Sequence, residues 1–169
     1  LTEEFFWTVF CDNYLEIIKP RVYQAEMTDE RISACSSLRI IHRAIIRLFA
    51  PYLPYITEEI WNWEYSNDKD MAPSVHRSSW PSTNEFEGIP ETKYPELYEV
   101  LMGLVNPIRK AKAEANISLA APVSKIEVKC PPGLNKICQL LLKDVTSMLH
   151  VDEYNLLEGN EKVEVLVHI

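Results

Sequence analysis

The chain has 169 residues, 47% hydrophobic and 25% charged, with a net charge of −8. That balance belongs to a folded globular domain, and no apolar run approaches the roughly 18 residues of a membrane-spanning helix. A protein that coats nucleic acid wholesale is normally basic and is excluded as well, although a local basic stripe is not.

The chain opens at Leu1, within a periodic segment. Thr2 is placed to cap a helix reaching about Val22, with Glu3 and Glu4 in its first turn, where the helix dipole favours acid. Phe6, Phe10, Tyr14, Ile17 and Ile18 recur at helical spacing, and Pro20 is expected to stop the helix near Lys19. A second helix starts at Thr28-Asp29-Glu30 and runs to about Ala50. Leu38, Ile41, Ile45, Leu48 and Phe49 form its apolar face, with Arg39, Arg43 and Arg47 four residues apart on a flank. "APYLPYITEEIW" then turns a proline-punctuated corner into a third helix, for which Thr57 is the expected cap.

Residues 66–93 lose all long periodicity and are rich in Pro, Ser and Asp, the signature of a long surface connection. A fourth helix, about Pro95 to Ala115, buries Leu97, Val100, Leu101, Leu104, Val105 and Ile108. Pro107 is expected to kink it, and the basic string "IRKAKAEAN" closes it. The period then changes. "SKIEVKC" alternates as a strand, Leu134 to Leu149 reads as a helix, and "DEYNLLE" and "KVEVLVHI" read as strands joined at Gly159-Asn160. The expected fold is mainly α: an antiparallel helical bundle over 1–116, and a small α+β subdomain of β-α-β-β order over 117–169. Neither part is basic, with 12 basic and 18 acidic residues in the first and 5 and 7 in the second. The absence of an initiator Met and the strand-like last residues suggest a piece of a longer polypeptide.

Little here points to catalysis. Cys11, Cys35, Cys130 and Cys138 show no Cys-x-x-Cys spacing and do not cluster with the four His residues, so zinc is not expected, and a reducing, cytoplasmic setting is the simpler reading. The four glycines are isolated, and a phosphate cradle needs them close together. His42, His76, His150 and His168 suggest no nucleophilic triad by spacing. The Arg39, Arg43, Arg47 row suits phosphate oxygens, but rows of charge are more often solvated faces. Glu16 is spaced to pair with Lys19, and Asp12 to meet an arginine of the second helix. Trp7, Trp61 and Trp63 sit at helical positions and read as core. Trp80, in "SVHRSSWP", reads as a loop anchor or a surface on which a base could stack.

Four strings in order, "FCDNYLEIIKPR", "FAPYLPYITEEIW", "SVHRSSWP" and "IRKAKAEANI", resemble the anticodon-binding domain of class I aminoacyl-tRNA synthetases of the valine, isoleucine and leucine group. "FCDNYLE" is most similar to the valine-specific members, and "KPRVY" has an echo of the isoleucine-specific ones. The resemblance covers nearly the whole chain, most strongly about 5–120. It implies a non-catalytic module that holds a tRNA anticodon stem and loop while ATP-dependent charging happens elsewhere. Strings resembling the family's ATP signatures, His-x-Gly-His and Lys-Met-Ser-Lys-Ser, are absent, so no cofactor is expected in this piece. The implied partners are the tRNA and the catalytic and editing domains of the same polypeptide, with no membrane and no second copy. The implied phosphate contacts are Arg39, Arg43, Arg47, Arg109, Lys110 and Lys112, with Trp80 as a stacking or anchoring residue. The competing expectations are the same module of an isoleucine-specific synthetase, and a helical protein-interaction module without RNA.

Overall fold

The computed structural model describes residues 2–159 and 161–169. Packing divides the chain into two compact units. One takes in the chain up to Leu15 together with Arg21–Glu91; the other comprises Glu16–Pro20 and Thr92–Ile169. The fold is mainly α, with a small α+β part toward the C-terminal end. The compact units part between Glu91 and Thr92, not at the expected 116. The reason is the apolar face of the fourth long helix, which is buried with the sheet in one core.

In the first unit, α1 (Thr2–Glu4) runs into a π-helical segment, Phe5–Leu15. Such wide turns usually last a single turn, so an 11-residue run is uncommon. Residues four and five apart are brought together along it. Phe6 stacks at 6.3 Å on Phe10, Phe10 at 6.0 Å on Tyr14, and Asn13 Nδ2 donates to Thr8 O at 2.7 Å. Phe6 also meets Phe49 edge-on at 5.1 Å. The buried polar residue of this stretch is therefore Asn13, whereas Asp12 is exposed. α2 (Glu16–Val22) follows and contains Pro20, so helix persists past the expected stop and ends soon after the ring. Lys19 and Glu16 form the expected ion pair.

α3 (Asp29–Phe49) begins as the sequence dictates: Thr28 Oγ1 accepts from Arg31 N at 3.1 Å, with Asp29 and Glu30 in the first turn. α4 (Pro54–Glu64) begins earlier than expected. Pro54, with its fixed φ and no N–H to satisfy, opens the helix, and Thr57 is buried inside it, donating to Leu53 O at 2.8 Å. Ile46, Ala50, Trp61, Tyr65 and Val75 form the core of this unit. The connection after α4 is irregular apart from two short 3-10 turns, Val75–Arg77 and Thr83–Phe86, but it is tied down. Trp61 Nε1 donates to Ala72 O at 2.8 Å, and Glu58 Oε2 accepts from Ser74 Oγ at 2.9 Å and Val75 N at 3.0 Å. Of the three helical tryptophans only Trp61 is core; Trp7 and Trp63 are 57% and 69% exposed.

In the second unit, α5 (Leu97–Glu114) carries Pro107 in its interior. It ends in a Schellman turn: Asn116 has φ 54°, its N–H reaches Ala113 O at 3.1 Å, and Ile117 N reaches Lys112 O at 3.0 Å. β1 (Val123–Cys130) is the central strand, with β2 (Val151–Glu158) parallel on one side and β3 (Glu164–His168) antiparallel on the other. α6 (Asn135–Met148) makes the β1-to-β2 crossover that a parallel pair requires. Val123, Ile126, Val128 and Cys130 of β1 are fully buried with Leu104, Val105 and Ile108 of α5 and Leu142 and Val145 of α6. Of the turn expected at Gly159-Asn160, only Gly159 is among the described residues; Asn160 and Leu1 lie outside them.

Candidate nucleic-acid interface

The arginine row lies on α3 as its spacing requires, but acidic side chains from downstream segments meet it. Arg39, about half exposed, donates from Nη2 to Asp68 Oδ2 at 2.7 Å and to Glu64 O at 3.2 Å, and its guanidinium lies 5.0 Å from the Tyr65 ring centroid. Next along the row, Arg43 donates to Glu85 Oε2 at 3.1 Å. The Arg47 side chain is only 9% exposed. It donates to Glu85 Oε1 at 3.0 Å, to Glu85 Oε2 at 2.5 Å, to Arg43 O at 3.1 Å and to Ser79 O at 3.3 Å.

Glu85 is thus the hub of the row. Its carboxylate also accepts from Ser82 N at 3.0 Å. The hydrogen bond from Arg47 leads the causes that pull its pKa down to about 2. This ionised acid fastens the Ser79–Glu85 stretch to α3. Arg47 is therefore a structural residue here, correcting its expected place as a phosphate contact: its guanidinium is nearly enclosed and already carries a carboxylate and two carbonyls. Arg43 belongs to the same hub. Arg39 remains at the surface.

Lys112 is also removed from the phosphate-contact set. It is fully buried, and Nζ donates to Leu119 O at 2.8 Å, Ala121 O at 2.6 Å and Leu149 O at 2.7 Å. Burial lowers its pKa. Position 112 falls on the buried stripe of α5, with Leu101, Leu104, Val105 and Ile108. Its neighbours differ: Lys110 is 75% exposed and 3.8 Å from Glu114, and Arg109 is half-buried. Arg109 and Lys110 belong to the second unit and the arginine row to the first.

Trp80 is 61% exposed. It lines a cleft of about 870 Å³ with Phe6, Trp7, Phe49, Tyr52 and Leu53. It also borders a smaller hollow of about 260 Å³ that includes Arg47 and His76. Periodicity missed this aromatic surface because Trp7 and Tyr52 carry the same letters as core residues. Glu85 was missed because its partners lie 38 and 42 residues earlier in the chain. Among the described residues no group of three or more His, Cys, Asp or Glu converges as metal ligands do, and no helix is long and apolar enough to cross a membrane.

The helical first unit, with its arginine-bearing α3 and aromatic cleft, falls within a match to the family model described as anticodon-binding domain of tRNA ligase, over residues 1–128. The chain belongs to that family. Among its relatives is a Valine--tRNA ligase of Cutibacterium acnes, 34% identical over 163 residues, covering 95% of this chain and 18% of the relative. Valine--tRNA ligases of Thermobifida fusca (40% over 127 residues, 75% of this chain and 14% of the relative) and Wolbachia pipientis (36% over 163 residues, 96% and 18%) are similar to it as well. The chain therefore spans less than a fifth of the length of these relatives.

Proposed function

We propose that this chain is the tRNA anticodon stem-loop module of a valine--tRNA ligase, non-catalytic by itself, serving a polypeptide whose other domains use ATP to attach valine to its tRNA. The observation that carries the reading is the family match over 1–128, together with the three relatives named above, each a Valine--tRNA ligase. A cytoplasmic setting and a single copy belong to the same proposal. Arg39, Arg109 and Lys110 are the proposed phosphate contacts, which supply affinity and register but no sequence information. Trp80, with Trp7 and Tyr52 beside it, offers faces on which unpaired loop bases can stack, at roughly 1–3 kcal/mol per base.

Three phosphate contacts carry a definite salt signature. Affinity for a valine anticodon arm is expected to fall roughly 20- to 40-fold between about 50 and about 200 mM monovalent salt. Fluorescence anisotropy of a labelled arm measures this, with an arm of unrelated anticodon alongside. Equal affinity for both arms removes the specificity claim; no binding at the lower salt removes the RNA reading for the chain by itself. The apolar lining of the cleft favours a second reading, docking of another protein surface, which predicts no salt-dependent RNA binding.

A further inference from the structure

Cys130 ends β1 and Cys138 is the fourth residue of α6. Both are fully buried, and their Sγ atoms are in direct contact. Neither takes part in the proposed RNA function. Close packing holds the pair in place. Gly159 N donates to Cys130 O at 2.8 Å, and a Cβ at position 159 would come within 3.0 Å of Cys130 N and Lys129 C. The other two cysteines are placed differently: Cys35 is exposed and Cys11 intermediate.

We propose that Cys130 and Cys138 form a redox modification site that takes a hydroperoxide and closes to an intramolecular disulfide between β1 and α6. Contact geometry sets the outcome once one sulfur is oxidised, because the second is already in place and no encounter step remains. The chemistry proceeds in two displacements. One thiolate attacks the peroxide, the O–O bond breaks, and a sulfenic acid and an alcohol (or water) result. The second sulfur attacks the sulfenic sulfur, the S–O bond breaks, and water leaves with the second thiol's proton. Overall, two thiols give up two electrons and two protons, and the hydroperoxide is reduced to alcohol and water.

The surroundings set the rate. Burial, then contact with Cys130, pushes the Cys138 thiol up to about 12, so the closed fold holds little thiolate. The turn at Pro131–Leu134, with Pro132 and Gly133 exposed, closes the loop between the two cysteines and is the segment that must open to admit the oxidant. The reaction is therefore expected to be slow and limited by opening, with a rate that stops rising at high peroxide. Exposed Cys35 reacts first.

The experiment treats the folded chain with hydrogen peroxide, quenches in acid, denatures, alkylates every remaining thiol and digests with trypsin. Cleavage after Lys129, Lys136 and Lys143 puts the two cysteines on separate peptides, 130–136 and 137–143. The expected product is those peptides joined and about 2 Da lighter than their sum, separated again by dithiothreitol. Oxidised chains should also melt at higher temperature than reduced ones. In Cys138→Ser the joined peptide is absent and Cys130 is recovered alkylated or over-oxidised. The proposal is overturned if prolonged treatment leaves Cys130 and Cys138 alkylatable, converts them to sulfinic acids, or pairs either with Cys11 or Cys35.

Discussion

Lys112→Met is expected to destabilise the chain by about 3–5 kcal/mol, the largest effect of any single substitution considered. Methionine keeps an unbranched apolar stem, one atom shorter, and the helical preference of lysine, so the change removes chiefly the ammonium. Three carbonyls then lose their common donor: that of Leu149 in a buried contact, and those of Leu119 and Ala121 in partly buried ones. Each buried unsatisfied carbonyl costs about 1–3 kcal/mol, and the apolar gain of the methionine offsets only part of the sum. The three carbonyls come from the segment after α5 and from the end of α6, so the ammonium clips these parts of the second unit to α5. Urea unfolding followed by circular dichroism measures the difference. A loss below about 1 kcal/mol would mean that water replaces the ammonium or that the carbonyls find other donors.

Glu85→Gln is expected to cost about 2 kcal/mol at neutral pH and to remove a specific piece of the acid sensitivity. The Glu85 carboxyl is pulled from 4.5 to about 2 in the folded chain. Its folded pKa is depressed, so its stabilisation is fully present above the unfolded value and lost as pH falls from about 4.5 through about 2. The shift alone corresponds to about 3 kcal/mol, and a side chain that is 25% exposed has part of that screened by solvent. The stability gap between wild type and Glu85→Gln should therefore be widest above pH 5 and close toward pH 2. Chemical unfolding of both proteins across that range decides it. A gap that stays constant with pH would assign the cost to lost packing and leave the Arg43 and Arg47 charges without a part in it.

These two residues also show where the sequence stops being informative. The span of α3 with its Thr28 cap, the apolar face of α5 and the β-α-β-β order are local, written in spacings of two and of three to four residues, and the structure follows them. The π-helical stretch is not legible, because Phe6, Phe10 and Tyr14 suit an ordinary helix equally well. Neither is the allegiance of α5: its apolar face says that something covers it, not which element. The arginine row was legible as a row, but not its neutralisation, since Glu85 sits in a segment without periodicity far along the chain. Lys112 was misplaced because "RKAK" reads as a basic helix end, where a cation suits the dipole. Its position on the buried stripe, eight residues after Leu104 and four after Ile108, was the available signal. Trp7 and Trp63 fit a helical stripe as Trp61 does, and only tertiary packing separates them.

The most direct test of the RNA reading uses the cations that the structure leaves at the surface. Arg39→Glu with Lys110→Glu reverses two exposed charges whose ion pairs, with Glu64, Asp68 and Glu114, contribute little to stability, so the double variant should fold. Its affinity for a valine tRNA anticodon arm at about 50 mM salt is predicted to fall at least tenfold, with a shallower salt slope, while its urea midpoint stays close to that of the wild type. An unchanged affinity and slope in a folded double variant would contradict the account.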